Sequence, residues 1–158
     1  MPATAAIFAA VFIALYAAHA VGDHWVQSSC QAAHKGLPGW TGRWACTKHL
    51  IGLTATKGLA LLAAVLVLDL KVSALGLALG LGADAASHWW ADRRSTLAAL
   101  ARATGKGDFY ALGTPAHPHH PVDAEGGYAP TLGTGAYSLD QSWHVAWLFV
   151  ASLIIAAV

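Results

Sequence analysis

In three pairs of titratable residues in this chain, His19 with Asp23, Asp84 with His88, and Asp140 with His144, the partners stand four apart. On a helix, that spacing sets both partners one turn apart on one face, where their side chains reach a common point. A lone histidine, His49, has the same kind of setting at the start of another apolar run. Imidazole nitrogen together with carboxylate oxygen suits zinc first, and also iron or manganese; no helical cysteine stands among them to make a soft thiolate site. The candidate ligands are His19, Asp23, His49, Asp84, His88, Asp140 and His144. They exceed the three or four that one zinc takes, so the set predicts two ions, or one ion with the surplus residues orienting its ligands. An open coordination position lowers the pKa of bound water toward about 7 and makes hydroxide available for hydrolysis. A surplus aspartate, Asp23 or Asp84, would then act as general base.

The elements that must position these groups are apolar and long. The chain has 158 residues, 56% hydrophobic and 11% charged, against about 25% charged in soluble domains. That shortage predicts an all-α integral membrane protein: one domain, residues 1–158, built as a four-helix bundle with spans near 5–27, 44–68, 72–91 and 136–158. Tyr16, His19, Asp23 and Gln27 recur at helical spacing along the first span, a polar stripe that must face protein and not lipid. Ala18-His19-Ala20 has the form of a signal-peptide cleavage site, but no Lys or Arg precedes Lys35, so the run is read as a span. Ser28 to Arg43 reads as a turn-rich connector. Lys57 lies deep in the second span and leans toward the helix N-terminus, where it snorkels or pairs with an aspartate of the cluster.

Trp89-Trp90 reads as an interfacial belt. Beyond it, Arg93, Arg94 and Arg102 alternate with Leu97, Leu100 and Ala101, predicting an amphipathic extension of the third span along the headgroups. The loop at 105–135 is rich in Gly and Pro, and its His117, His119 and His120 read as solvated. Cys30 and Cys46 lack the spacing of a metal knuckle and read as free thiols or packing residues.

Lys35, Arg43 and Lys48 in the first connector, with Arg93, Arg94, Arg102 and Lys106 in the third, outnumber Lys71 in the second. The positive-inside rule then places both chain ends outside and all seven candidate ligands at the cytoplasmic mouth of the bundle. The expected partners are the bilayer and a lipid or membrane-proximal substrate; a net charge of +1 offers nothing to nucleic acid. Oligomeric state has no signature here. Two competing readings are a metal-ion or proton carrier, disfavoured by an apolar outer half, and a purely structural network fastening the helices.

The order His-x-x-Gly-Asp-x-x-x-Gln (His19, Gly22, Asp23, Gln27), His49, Asp-x-x-x-His (Asp84, His88) and Asp-Gln-x-x-His (Asp140, Gln141, His144) resembles the DUF3307 family of small bacterial and phage membrane proteins. It is similar, more distantly, to the membrane-bound metal-dependent hydrolases. The first resemblance implies a four-span membrane protein of unassigned biochemistry, expected in the bacterial inner membrane; the runner-up to an enzyme is a non-enzymatic phage or host accessory factor whose polar cluster only fixes helix packing. The second implies hydrolysis. His24 departs from the pattern, which makes His24 or His34 a candidate extra ligand.

Overall fold

The structure, a computed structural model, describes residues 2–112 and 134–158. Those residues are helical throughout, joined by short turns, with no strand among them. Helix α1 (Pro2–Val21) runs into a π turn at Gly22–Val26, closed by the Gln27 N–H on the Gly22 carbonyl at 3.0 Å. Helix α2 (Ser29–His34) forms inside the stretch whose composition suggests only a turn, because Ser28 and Gln31 make a reciprocal capping box. Helix α3 (Gly39–Leu68) starts five residues ahead of the expected Trp44: Pro38 sits extended just before the helix, a place where its missing N–H costs nothing. Asp69 then ends α3 in the left-handed region at φ 47°, which a short polar side chain tolerates.

Three helices are long and apolar enough to cross a membrane: α1 with its π turn (Ala3–Val26), α3, and α7 (Gly135–Ala157). Helix α4 (Ala74–Asp92) has 19 residues, and its second half carries Asp84, Ser87, His88 and Asp92. Its composition alone does not mark it as a crossing. Helix α5 (Ser95–Ala103) is the amphipathic segment, burying Leu97 and Ala101; it is a separate helix rather than a continuation of α4, because the chain turns at Arg94 with φ 56°. Helix α6 (Gly107–Ala111) falls inside the expected loop. His117, His119 and His120 lie outside the described residues.

Each long helix turns one row of residues inward. Val11, Leu15, Leu61, Leu148, Ala151 and Ile155 form a dry core at one end, while Leu59, Leu66 and Val67 stand 69–80% exposed. Such an apolar exterior is what a lipid-facing surface requires. On α4 the inward row is Gly76, Gly80, Asp84, His88 and Asp92, at a strict spacing of four. The two glycines let α4 lie against α7: a Cβ on Gly80 would stand 2.5 Å from Ile155 Cγ1 and 2.8 Å from the Ala151 carbonyl oxygen. Gly22 does the same between α1 and α3, where a Cβ would meet Leu53 Cδ1 at 2.3 Å.

At the other end, two arginines tie the connectors together. Arg93 donates to the carbonyls of Lys35 and Leu37, and Arg94 donates to the Ala32 carbonyl at 2.9 Å. The α2–α3 connector is thereby held over the end of α4.

Gly80→Ala forces α4 and α7 apart and should lower stability by about 1–3 kcal/mol. Gly58→Ala, with nothing within 4 Å of the added carbon, should leave it unchanged or raise it by up to about 1 kcal/mol. Thermal unfolding of both variants in detergent checks the contrast.

Candidate metal centre

The end of the bundle away from the dry core carries a cluster of imidazoles and carboxylates. His49 projects from the inward face of α3, His88 and Asp92 from successive turns of α4, and all three are buried. His49 Nε2 lies 3.2 Å from His88 Nε2, and Asp92 Oδ2 lies 3.3 Å from each. Three donor atoms thus make a nearly equilateral triangle. Tetrahedral zinc with bonds of 2.0–2.1 Å has ligand–ligand edges of about 3.3 Å, so the triangle matches one face of such a site. A single proton between the two imidazoles joins only two of the three atoms, whereas a cation engages all of them.

Asp23, carried on the π turn, faces the same histidine edge: its Oδ1 is 3.0 Å from His49 Nε2 and 3.5 Å from His88 Nε2. The widened turn after α1 aims this carboxylate inward, and π turns recur at functional sites. His19 Nε2 is 3.6 Å from Asp23 Oδ2. From α7, the His144 ring stacks on His88 with centroids 3.8 Å apart, and its Nε2 lies 3.4 Å from Asp140 Oδ1 and 3.9 Å from Asp92 Oδ1. Asp92, Asp140 and His144 form a second group with ligand atoms within 4.8 Å of one another.

Behind the triangle, the Gln27 amide satisfies its neighbours when its nitrogen is turned to donate to the Asp23 carbonyl at 3.2 Å; its oxygen then accepts from His49 Nδ1 and from Lys35 Nζ, both at 3.1 Å. That hydrogen bond puts the His49 proton on Nδ1 and leaves Nε2 with its lone pair toward the centre, the arrangement that metal-ligating histidines show. Lys35 Nζ stands 2.8 Å from Asp92 Oδ1. Asp23, Asp92 and Asp140 bring three negative charges, and Lys35 returns one positive, so with neutral imidazoles the cluster holds −3 + 1 = −2. Burial of that charge away from water is costly, and one divalent ion cancels it. Both His19 nitrogens, His88 Nδ1, Asp92 Oδ2, Asp23 Oδ1 and His144 Nε2 are buried without a well-formed hydrogen bond. Buried polar atoms of this kind call for a partner.

Six of the seven expected ligands converge, although Asp140 sits at the rim with 24% of its side chain exposed. Asp84 does not join them. Its Oδ2 takes the Lys57 ammonium at 2.6 Å, both groups buried deeper in the bundle. This resolves the two readings of Lys57: it pairs with an aspartate. Asp92 is absent from the expected set although it stands four residues past His88, the same spacing that picks out Asp84. Its position after Trp89-Trp90 and before Arg93 suggests a surface segment, and only the fold-back of the arginines shows otherwise. Lys35 carries no comparable signal in the sequence. His24 is exposed and His34 half-buried, and neither joins the cluster: His24 is bonded to Tyr137 and His34 to the Cys30 carbonyl. Cys30 and Cys46 are free.

A cavity of about 510 Å³ opens onto the cluster, lined by Asp23, Gln27, Lys35, Asp92, Asp140 and residues of the connectors. Comparison of the chain with protein-family models, with curated proteins and with solved structures finds no match.

Removing one partner of the Lys57–Asp84 pair strands a buried charge. Lys57→Met or Asp84→Leu alone should lower stability by about 3–5 kcal/mol, and the double variant should recover most of the loss. A thermal-unfolding double-mutant cycle in detergent reads the coupling.

Proposed function

We propose that this protein is a metal-dependent hydrolase of the bacterial inner membrane, with its site at the cytoplasmic mouth of a four-span bundle. The observation that carries the reading is the triangle of His49 Nε2, His88 Nε2 and Asp92 Oδ2, with edges of 3.2–3.3 Å. Three protein ligands and an open fourth position make the arrangement of catalytic rather than structural zinc. Lys35 holds the other oxygen of Asp92, the side a bridging second ion would need, which favours a single divalent cation, zinc before iron or manganese.

In this reading α4 is the fourth crossing. From His49 to the end of α3 is about 28 Å at 1.5 Å per residue, close to the roughly 30 Å hydrocarbon thickness, so the cluster sits at the boundary between acyl chains and headgroups. Three tryptophan–cation pairs, Arg43 with Trp40, Lys48 with Trp44 and Arg93 with Trp89, ring the same end and suit an interface. The excess of Lys and Arg there makes it cytoplasmic. The DUF3307-like order of motifs belongs to the same proposal.

The residues divide the work by position. His49, His88 and Asp92 hold the ion. Asp23 is the general base: its carboxylate lies next to the histidine edge and lines the cavity from which water arrives. The Lys35 ammonium stands where negative charge develops. Asp84 leaves the catalytic set for the Lys57 pair. A purely structural network is the second reading, supported by the imidazole contact at 3.2 Å; it leaves both ring nitrogens of the buried His19 without a hydrogen-bond partner.

Purified protein loaded with zinc or manganese should hydrolyse phosphate or carboxylate esters, and a chelator should abolish the turnover. Asp23→Asn should lower kcat by about 10²–10⁴-fold while bound metal stays at the wild-type level. Chelator-resistant turnover, or none in any metal form, would discard the hydrolase reading.

A further inference from the structure

A second cavity of about 580 Å³ reaches the cluster from the side. It lies between α1 and α7, lined by Tyr16, His19, Ala20, Val145 and Ala146, and it shares His24, Tyr137 and Gln141 with the cavity over the site. Toward the dry core the same helix pair is shut by aromatic packing, Phe8 on Phe149 at 5.4 Å and Phe12 on Phe149 at 6.4 Å. The opening is therefore confined to the half nearest the site. Both flanking helices are candidate membrane spans, so the cleft faces acyl chains where it opens.

Its inner end is polar. His19 is 2% exposed, with neither ring nitrogen hydrogen-bonded, and it lines the cleft. Across the shared boundary, His24 Nε2 and the Tyr137 hydroxyl meet at 3.2 Å, a single hydrogen bond between the two cavities. Beyond it, Lys35 and Arg94 supply two cations to the wall of the larger space. Asp23, Asp92 and Asp140 line the same space and outnumber those cations until a divalent ion is bound, so an apolar side entrance leading to a metal-loaded chamber fits a molecule with a chain at one end and an anionic head at the other. A water-soluble ester needs only the cavity over the site.

We propose that the substrate is a phosphorylated lipid that enters from the bilayer through the α1–α7 cleft, its chain along Val145 and Ala146 and its phosphate between Lys35, Arg94 and the metal position. This rests on the metal-dependent hydrolase reading. In the reaction, water oxygen forms a bond to phosphorus as its proton passes to Asp23, and the ester P–O bond breaks. The departing alkoxide takes a proton, leaving a lipid alcohol and inorganic phosphate.

The test uses the full chain, metal-loaded in detergent micelles, with dioleoyl and dihexanoyl phosphatidic acid as probes of identical head and different chain. Phosphate release should favour the long chain by at least roughly tenfold in kcat/KM, since each buried methylene adds several-fold. Ala146→Trp and Val145→Trp, which fill the cleft, should each collapse that ratio, with metal content confirming that the variants fold. In parallel, brominated-chain phosphatidic acid should quench the emission added by Tyr16→Trp, in the wall of the cleft, more strongly than brominated phosphatidylcholine does. Equal rates for the two chain lengths, or a ratio that neither folded variant moves, would overturn the proposal while leaving the hydrolase reading in place. Selective quenching without phosphate release would overturn cleavage of the bound lipid phosphate, and unselective quenching without phosphate release would overturn the lipid site as well; the hydrolase reading itself falls only if no ester is turned over.

Discussion

Carboxylates held away from water govern this structure. Asp23, Asp84 and Asp92 are buried among helices whose outer surfaces are apolar, and an unneutralised charge in such surroundings is costly by several kcal/mol. The chain answers in two ways at two depths. Deeper in the bundle the answer is internal, one lysine for one aspartate. Near the end it is incomplete: Lys35 offsets one of three carboxylates, and the remaining negative charge faces four imidazoles that carry none of their own when neutral. The difference between these two layers separates a packing device from the proposed ligand site.

The helices make that second layer possible through close approach rather than length. Glycines on α4 and after α1 bring backbones near enough for short side chains to meet, so that Asp92 and Asp23 reach the same pair of imidazoles from opposite sides. The connectors finish the work. Arg93 and Arg94 reach back to backbone carbonyls of the α2–α3 turn and set Lys35 against Asp92. Gln27 links that lysine to His49 and turns the imidazole so that its lone pair points inward. A site on rigid helices with its outer partners in place has the preorganisation that the proposed cation would need.

Most of the positions were legible in the sequence, because a spacing of four in an apolar helix has one geometric meaning. His19 with Asp23 and Asp140 with His144 lie as that spacing dictates. The rule errs where it lacks depth. Asp84 satisfies it as well as Asp92 does, yet Asp84 is deep enough to meet Lys57 on the neighbouring helix, whereas Asp92 lies level with His49. Which aspartate is level with which histidine depends on the relative shift of α3 and α4, set by the short turn at Asp69 to Ser73 and by the early start of α3 at Gly39. No one-dimensional pattern carries that shift. Lys35 escaped for a similar reason, since a lysine in a Gly-rich connector reads as solvated until the arginine contacts fold it inward. The helical character of α2 and α6 was hidden in segments whose composition suggests only turns.

The central claim is that His49, His88 and Asp92 are poised to bind a divalent ion, and metal analysis combined with X-ray absorption on detergent-purified protein addresses it most directly. The account predicts one zinc, iron or manganese per chain, with imidazole nitrogen and carboxylate oxygen at about 2.0–2.2 Å in the case of zinc, and loss of the ion in His88→Ala. A protein that stays metal-free after incubation with each of these ions, and whose unfolding temperature none of them raises, would contradict it.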